Sequence, residues 1–310
     1  MDVHIVILNY NGSHLLKRHL PSVINAAKNS SCGIKITVLD NGSSDDSVSY
    51  VKQDFPDLET VSAKENLVLV SYNEFLRKIP EKIVVLLNND IGLEPGFIDY
   101  MIPYFEDESV FAVAPKVMDT EGKNITGGCM DFSLRAGLFR NEPKTADKNN
   151  YTLFIGSSAA YDREKFLELN GYDPIYLPGT YEDLDLCYRA WQRGWKCVYE
   201  DKAIAYHDSS ASFDRIYTDK KRQTISARNA YLFIWKNIHD PAIILSNVFL
   251  YPLVLFFNIL RLRFDLALGS VKALALLPDV LVKRREAAQS VILSEKNIRD
   301  LFQKDLRKAA

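Results

Sequence analysis

The chain has no surplus of positive charge. Its 38 Lys and Arg residues are set against 40 Asp and Glu, for a formal net charge of -2. A dedicated nucleic-acid binder carries a basic excess, so that class is not expected. Cysteine is sparse: Cys32, Cys129, Cys187 and Cys197 form neither CxxC spacing nor a framework. That argues for reduced thiols in a cytosolic protein over zinc or disulfides. No apolar run leads into GxGxxG or GxxxxGK[ST], which argues against a dinucleotide-binding dehydrogenase and a P-loop NTPase. The opening Met-Asp-Val-His lacks the basic n-region and cleavage site of a secretory signal, so none is expected. What is present is ordinary for a globular protein, 47% hydrophobic and 25% charged. A chain of this length makes one large domain, or a main domain with an appendage.

Val3 to Leu8 is a continuous apolar, β-branched run, the mark of a strand buried on both faces. It ends in Asn9-Tyr-Asn-Gly12, after which Ser13 is expected to cap a helix carrying Leu15, Leu16, Leu20, Val23 and Ile24. A second such strand, Ile34 to Leu39, ends in Asp40-Asn-Gly-Ser-Ser-Asp-Asp46, and a helix follows until Pro56. A third, Lys82 to Leu87, ends in Asn88-Asn89-Asp90. Strands alternating with helices predict a largely parallel, doubly wound α/β sheet. Ligands of such sheets sit beyond the carboxyl ends of the strands, where these three polar clusters stand. Each cluster also has a plainer reading as turn chemistry. From Met118 to Thr152 the text is polar and irregular and predicts a long excursion. Cys197 to Tyr199 and Ala203 to Tyr206 predict two short strands, ending at His207.

The most informative stretch is Gly179-Thr-Tyr-Glu-Asp-Leu-Asp-Leu-Cys-Tyr-Arg-Ala-Trp-Gln-Arg-Gly194. Leu184, Cys187, Tyr188 and Trp191 recur at helical spacing. Asp185 and Arg189 can pair at i,i+4, and Gly194 is a stop signal. Glu182 and Asp183 therefore stand at a helix start, where they either complement the helix dipole or present a base to a substrate. Tyr188, Trp191 and Trp195 are expected in the core.

In order, these segments resemble a family-2 glycosyltransferase of GT-A fold. The nearest likeness is to the subgroup with bacterial rhamnosyltransferase-like enzymes of surface polysaccharide assembly. The resemblance rests on Leu8-Asn-Tyr-Asn11, Val38-Leu-Asp-Asn-Gly-Ser-Ser-Asp45, Leu86-Leu-Asn-Asn-Asp90, Gly156 with Arg163, Gly171-Tyr-Asp173, Tyr181 to Arg189, and Tyr206-His207. It implies that Asn9, Asn11 and Asp40 hold the base and ribose of a nucleotide-sugar. Asn88, Asn89, Gly156, Asn66 and Asn73 fall in the same binding region. Asp90 stands at the family's DxD-type metal motif, His207 where some members add a ligand, and Asp183 at the general base, with Glu182 in support. One departure stands out: Asn66-Leu-Val-Leu-Val-Ser-Tyr-Asn73 keeps the first asparagine of Asn-x-Gly-Phe-x-x-Gly-x-Asn and carries Asn73 one position before the second, but puts Val68 and Tyr72 at the glycine positions. Glycine permits close backbone approach, so a reshaped pocket wall is expected there.

The chemistry implied by the resemblance asks for these residue types. A cation bridging phosphate oxygens offsets charge on a leaving diphosphate. Mg²⁺ and Mn²⁺ need only one or two protein carboxylates when phosphates supply further ligands. A carboxylate base activates the acceptor hydroxyl, and Asp183 is expected to be ionised. The expectation is a metal-dependent, inverting enzyme that moves a sugar to a hydroxyl of a glycan or lipid-linked acceptor. The rival is a non-catalytic nucleotide-sugar-binding or assembly subunit.

Residues 1–215 are expected to form the catalytic domain and residues 216–310 a helical appendage. Ala242 to Leu260 contains no charged residue. A bilayer span needs ~20 apolar residues, and Pro252, Asn247 and Asn258 weaken that reading. Arg261, Arg263, Lys272, Lys283, Arg284 and Arg285 flank this segment and the next apolar one, Leu266 to Leu281. Basic edges suit attachment to anionic lipid. The expectation is a peripheral protein on the cytoplasmic face of the cell membrane, with helices packed on the domain or pairing two copies as the alternative.

Overall fold

A computed structural model describes residues 2–303, excepting 136, 147–148, 157 and 209–216. The three apolar runs become the central strands β1 (Asp2–Asn9), β2 (Gly33–Asp40) and β4 (Ile83–Asn88), with β1 and β4 almost wholly buried and β2 buried from Ile36 onward. With β3 (Glu59–Ser62) they pair in parallel in the order β3-β2-β1-β4. Helices α1 (Ser13–Lys28), α2 (Ser47–Asp54) and α3 (Ser71–Leu76) make the crossovers. Register then matters for function. Asn9 stands opposite Asp40, and Leu8 opposite Asn88, so the three polar clusters lie in one row at the sheet's edge.

Beyond β4 the sheet is mixed. The strand β10 (Ser158–Asp162) inserts antiparallel between β4 and β6 (Val110–Asp119). The long β11 (Lys196–His207) runs parallel to β6 and antiparallel to the short β5 (Ile91–Leu93). The two short strands expected near residue 200 are this one strand, interrupted by a bulge between Glu200 and Ile204. Packed on these strands are α4 (Phe97–Met101), α5 (Arg163–Glu168) and α6 (Glu182–Gln192). The irregular excursion is partly ordered too. It contains β7 (Ile125–Gly127), paired to β6, and a hairpin of β8 (Met130–Arg135) and β9 (Leu138–Pro143). Its polar text hides strands because Asp131, Ser133 and Arg140 alternate with Phe132 and Phe139, whose rings stack at 4.7 Å.

Ser13 does not cap α1. Gly12 holds the cap position, and the Ser13 amide donates instead to Asp45 at 3.0 Å. Asp45 also accepts from the Ser47 amide at the start of α2, so one carboxylate serves two helix starts.

The last third is helical: α7 (Asp219–Asn237), α8 (Pro241–Leu260), α9 (Phe264–Ala275), α10 (Leu277–Ala288) and α11 (Glu295–Gln303). Tyr231, Leu232, Phe233 and Ile234 of α7 share one core with Tyr188 and Trp191 of α6. Trp195 packs against it half-buried, so the aromatic residues of that stretch are core as expected. By contrast α8 is largely uncovered, with Leu245, Phe249, Phe256 and Leu260 all more than half exposed. Its buried polar residue, Asn247, accepts from Trp235 and donates to the Gly137 carbonyl, tying the β8-β9 turn to α7.

A buried charge cluster locks α6 to α7. Asp185 accepts from Arg189 Nε at 2.8 Å and from Lys236 Nζ at 2.7 Å. Lys236 also reaches Asp173 at 2.7 Å, and Lys283 of α10 closes on Asp173 at 2.8 Å. Removing one member leaves a buried charge uncompensated, which costs about 3–5 kcal/mol. Lys236→Met is therefore expected to lower the urea-unfolding free energy by about that amount; a loss under ~1 kcal/mol would show the cluster to be solvent-relaxed.

Candidate active site

The row of strand ends opens into a cleft of about 650 Å³. Its floor is the β1 end with Asn9, Tyr10 and Asn11. One wall carries Asn41, Asn66 and Val68, and the other Pro178, Gly179, Thr180, Glu182 and Asp183. Asn88, Asn89 and Gly156 complete it. Distant parts of the sequence thus meet because β1, β2 and β4 end together and α6 starts opposite them.

Much of the floor is prefixed by hydrogen bonds. Asn9 is fully buried, donates to Asp40 at 2.9 Å and accepts from Asn89 at 2.7 Å. Asp40 accepts in addition from the Gly42 and Ser43 amides and the Ser43 hydroxyl. Its carboxylate therefore shapes the turn after β2, while its neighbour Asn41 lines the cleft. Asn11, at φ 47, accepts from the Ser44 amide at 2.7 Å. Gly12 is required by this arrangement, since a Cβ there would lie 1.9 Å from Asn89 Nδ2.

The departure at residues 66–73 resolves into two separate effects. Val68 keeps the left-handed backbone, at φ 51, although it is β-branched. Such a conformation costs of order 1–3 kcal/mol and needs support from its surroundings. Asn66 accepts from the Val68 amide at 3.0 Å, and Asn41 donates to the Val68 carbonyl at 3.2 Å. The valine side chain becomes part of the cleft wall. Tyr72 instead points into the core, 1% exposed, and donates to the Leu87 carbonyl at 2.7 Å. Asn73 is not brought to the cleft with the others: its amide exchanges two hydrogen bonds with the backbone of Tyr172.

Glu182 and Asp183 sit where the cleft meets α6. Two consecutive non-glycine residues before them, Thr180 at φ 68 and Tyr181 at φ 72, are left-handed. The strained turn is held by Asn229 of α7, fully buried, whose Nδ2 donates to the carbonyls of Tyr176, Gly179 and Thr180 at 2.8 to 2.9 Å. Arg228 adds a bond to the Leu177 carbonyl at 2.6 Å. Sequence reasoning missed Asn229 because nothing local marks an asparagine inside a helix as the anchor of a loop 50 residues away. Tyr10 and His14 also line the cleft, and no motif marks them.

Burial pushes the Glu182 carboxyl up to about 8, with the Asp183 charge adding to the effect. Its Oε2 is buried without a hydrogen-bond partner among the described residues. Burial also pushes Asp183 up, to about 6, against the Leu184 amide that donates to Oδ1 at 2.8 Å. Near neutral pH the pair therefore holds one proton between its two carboxyls, Glu182 being the one pushed up further.

Asp90 and His207 are brought together by the pairing of β5 with β11. Asp90 immediately precedes β5, and His207 stands opposite Ile91. Asp90 Oδ2 lies 3.5 Å from His207 Nε2, and Asp90 Oδ1 is buried with no hydrogen-bond partner among the described residues. Burial alone would lower the imidazole, but hydrogen bonding and charge from Asp90 raise it overall. An orphaned carboxylate oxygen beside an imidazole nitrogen fits a divalent cation with ~2.0–2.1 Å bonds. Among the described residues no third His, Cys, Asp or Glu joins them, so phosphate and water oxygens would complete the shell.

Fold and site together define a GT-A glycosyltransferase architecture. The model for the glycosyltransferase-like family 2 matches residues 2–226, and the chain belongs to that family. It is 26% identical over 215 residues to the pre-mycofactocin glycosyltransferase of Mycobacterium tuberculosis, covering 67% of this chain but 43% of that one. The chain thus spans less than half the length of that relative. Among solved structures it is similar to GalNAc-T7 with UDP, GalNAc and Mn²⁺ (TM-score 0.56, 16% identity, 78% of this chain and 48% of that one). It is also similar to the mannosyltransferase PcManGT from Pyrobaculum calidifontis with GDP-Man and Mn²⁺ (TM-score 0.55, 17% identity, 99% and 80%).

The raised Glu182 carboxyl has a consequence for stability. The folded state binds a proton that the unfolded chain releases near a normal carboxylate value, so stability falls as pH rises through that window. Glu182→Gln removes the penalty. Its melting temperature is expected to exceed that of the wild type by a margin that grows between about pH 5 and about pH 9. A margin independent of pH would mean that Glu182 titrates normally.

Proposed function

We propose that this chain is a metal-dependent, inverting glycosyltransferase that moves a sugar from a nucleotide-diphosphate donor to a hydroxyl of a glycan or lipid-linked acceptor. A role in surface polysaccharide assembly, of the rhamnosyltransferase-like kind, is part of the reading. The observation that carries it is that Asp183 lines the same cleft as the strand-end asparagines Asn9, Asn88 and Asn89. We take residues 1–215 as the catalytic unit and residues 216–310 as the helical part that meets the membrane.

In this reading Asn9, Asn11, Asn41 and Asn66 line the surface offered to the base and ribose, with Asp40 holding the turn beneath. Asn88, Asn89 and Gly156 face the diphosphate and sugar. Asp90 and His207 would hold a Mn²⁺ or Mg²⁺ ion, which supplies Lewis-acid stabilisation of charge on the leaving diphosphate. Asp183 accepts the proton of the acceptor hydroxyl. The acceptor oxygen forms a bond to the anomeric carbon as the bond from that carbon to the diphosphate oxygen breaks, and the nucleoside diphosphate departs. Attack from the face opposite the diphosphate inverts the anomeric centre. Protonated Glu182 removes a second negative charge from beside Asp183 and is available to donate a hydrogen bond. Support for the membrane side comes from α8, which is 20 residues long, apolar and mostly uncovered.

Asp183→Asn is expected to lower turnover ~10²–10⁴-fold, the usual contribution of a general base, while nucleotide-sugar binding persists. Unchanged turnover would remove Asp183 as base. Binding of a donor with no turnover against any acceptor in the wild type would favour the non-catalytic reading. Asp90→Ala is expected to abolish the extra thermal stabilisation that Mn²⁺ adds to a nucleoside diphosphate, because only binding to the folded state raises the melting temperature. Equal metal-dependent stabilisation in the variant would assign the ion to other residues.

A further inference from the structure

A second opening of about 580 Å³ adjoins the cleft, and its walls combine cations with hydrocarbon. Lys220, Lys221 and Arg228 of α7 and Lys272 of α9 face it, over Ile225, Phe264 and Leu268. Asp265 is the sole acid among the described lining residues, and it lies 3.7 Å from Arg263. Among the described residues Lys220, Lys221 and Lys272 have no carboxylate partner. Lys221 sits 5.3 Å from the Tyr217 ring. Arg228 is bonded through Nε to Asn229 and through Nη2 to the carbonyls of Tyr176 and Leu177, which fixes the guanidinium without cancelling its charge. Three exposed lysines and Arg228 set against a single acid leave the groove net positive, which draws anions to it.

Two connections give this groove a direction. Pro178 lines both the groove and the catalytic cleft, and Tyr217 stands on the cleft wall beside Lys221. On the other side the groove's apolar floor runs out onto open hydrocarbon: Phe264 is 60% exposed, Leu262 73% and Leu260 64%. A ligand suited to the whole surface has an anionic head, a long apolar tail, and a reacting group that reaches past Pro178 to Asp183.

We propose that the groove binds the phosphate or diphosphate head of a lipid-linked acceptor, whose hydrocarbon lies along the α8-α9 surface. The assignment rests on the glycosyltransferase reading and narrows its acceptor to an alkyl or polyprenyl phosphate class. Lys220, Lys221 and Lys272 supply the charge, Arg228 fixes the Leu177 carbonyl next to the head, and Phe264 and Leu268 begin the path of the tail. A phosphate head alone shares the cationic contacts but not the apolar ones.

The test uses the full chain and flotation with phosphatidylcholine vesicles of three kinds: undoped, doped with a polyprenyl phosphate, and doped with phosphatidylglycerol to equal charge. The wild type is expected to prefer the polyprenyl phosphate vesicles ~10-fold or more over those with phosphatidylglycerol. The triple variant Lys220→Gln, Lys221→Gln, Lys272→Gln, all at exposed positions, is expected to lose roughly 10- to 100-fold of that binding. Its stabilisation by nucleotide-sugars should be unchanged. Equal affinity for both anionic vesicles, or an unaltered triple variant, overturns the proposal. So does inorganic phosphate that displaces the protein at concentrations as low as the vesicle-bound lipid phosphate, since the tail then contributes nothing. Nucleotide-sugar stabilisation, read separately in the wild type, reports on the glycosyltransferase reading alone; its absence alongside selective vesicle binding would sink that reading and leave a lipid-phosphate site.

Discussion

The carboxylate of Asp185 is the constraint on which the rest depends. It lies inside the protein, where an unpaired charge is costly. Burial alone would raise it, but the charges of Arg189 and Lys236 hold it well below the usual carboxylate range. Tyr176 and Asn237 donate to it as well. Satisfying this one group draws together α6, the segment around Asp173, α7 and, through Lys283, α10. The C-terminal helices are thereby joined to the cleft by electrostatics as well as by the aromatic core.

Three acidic residues on α6 show how environment divides roles. Asp185 has two cations and is locked in the ionised form. Glu182 and Asp183, one turn or less away, face the cleft with no cation against them among the described residues, and burial raises both. Titratable neighbours whose surroundings push them apart are the usual arrangement for acid and base work. The same helix thus anchors the fold on one side and presents a proton acceptor on the other.

Asn229 links these two functions. The turn that delivers Glu182 contains two left-handed non-glycine residues, each costing of order 1–3 kcal/mol. The two N–H groups of one buried amide, shared among three carbonyls, hold it. The anchoring helix also carries Arg228, Lys220 and Lys221, so the element that fixes the Glu-Asp pair also forms the wall of the cationic groove. Helix α7 is the physical connection between the proposed acceptor head group and the base.

The parallel core was legible in the sequence because buried strands write continuous β-branched runs and their ends write polar turns. The positions of Asn9, Asp40, Asn88 and Asp183 followed from the same text, since strand ends and a helix start are local features. The pairing of β10 antiparallel within the sheet, the β8-β9 hairpin and the union of two strands in β11 were not legible, because strand direction and register depend on partners far away in the chain. Nor did residue type reveal that Tyr72 turns inward while Val68 walls the cleft, as both stand at expected glycine positions. The sequence by itself determined which groups can accept protons or face a ligand. Only tertiary structure decided that Asp90 meets His207, that Glu182 is pushed up further than Asp183 and that Asn229 holds the turn before them, because burial, counter-charge and hydrogen-bond reach are properties of neighbours in space.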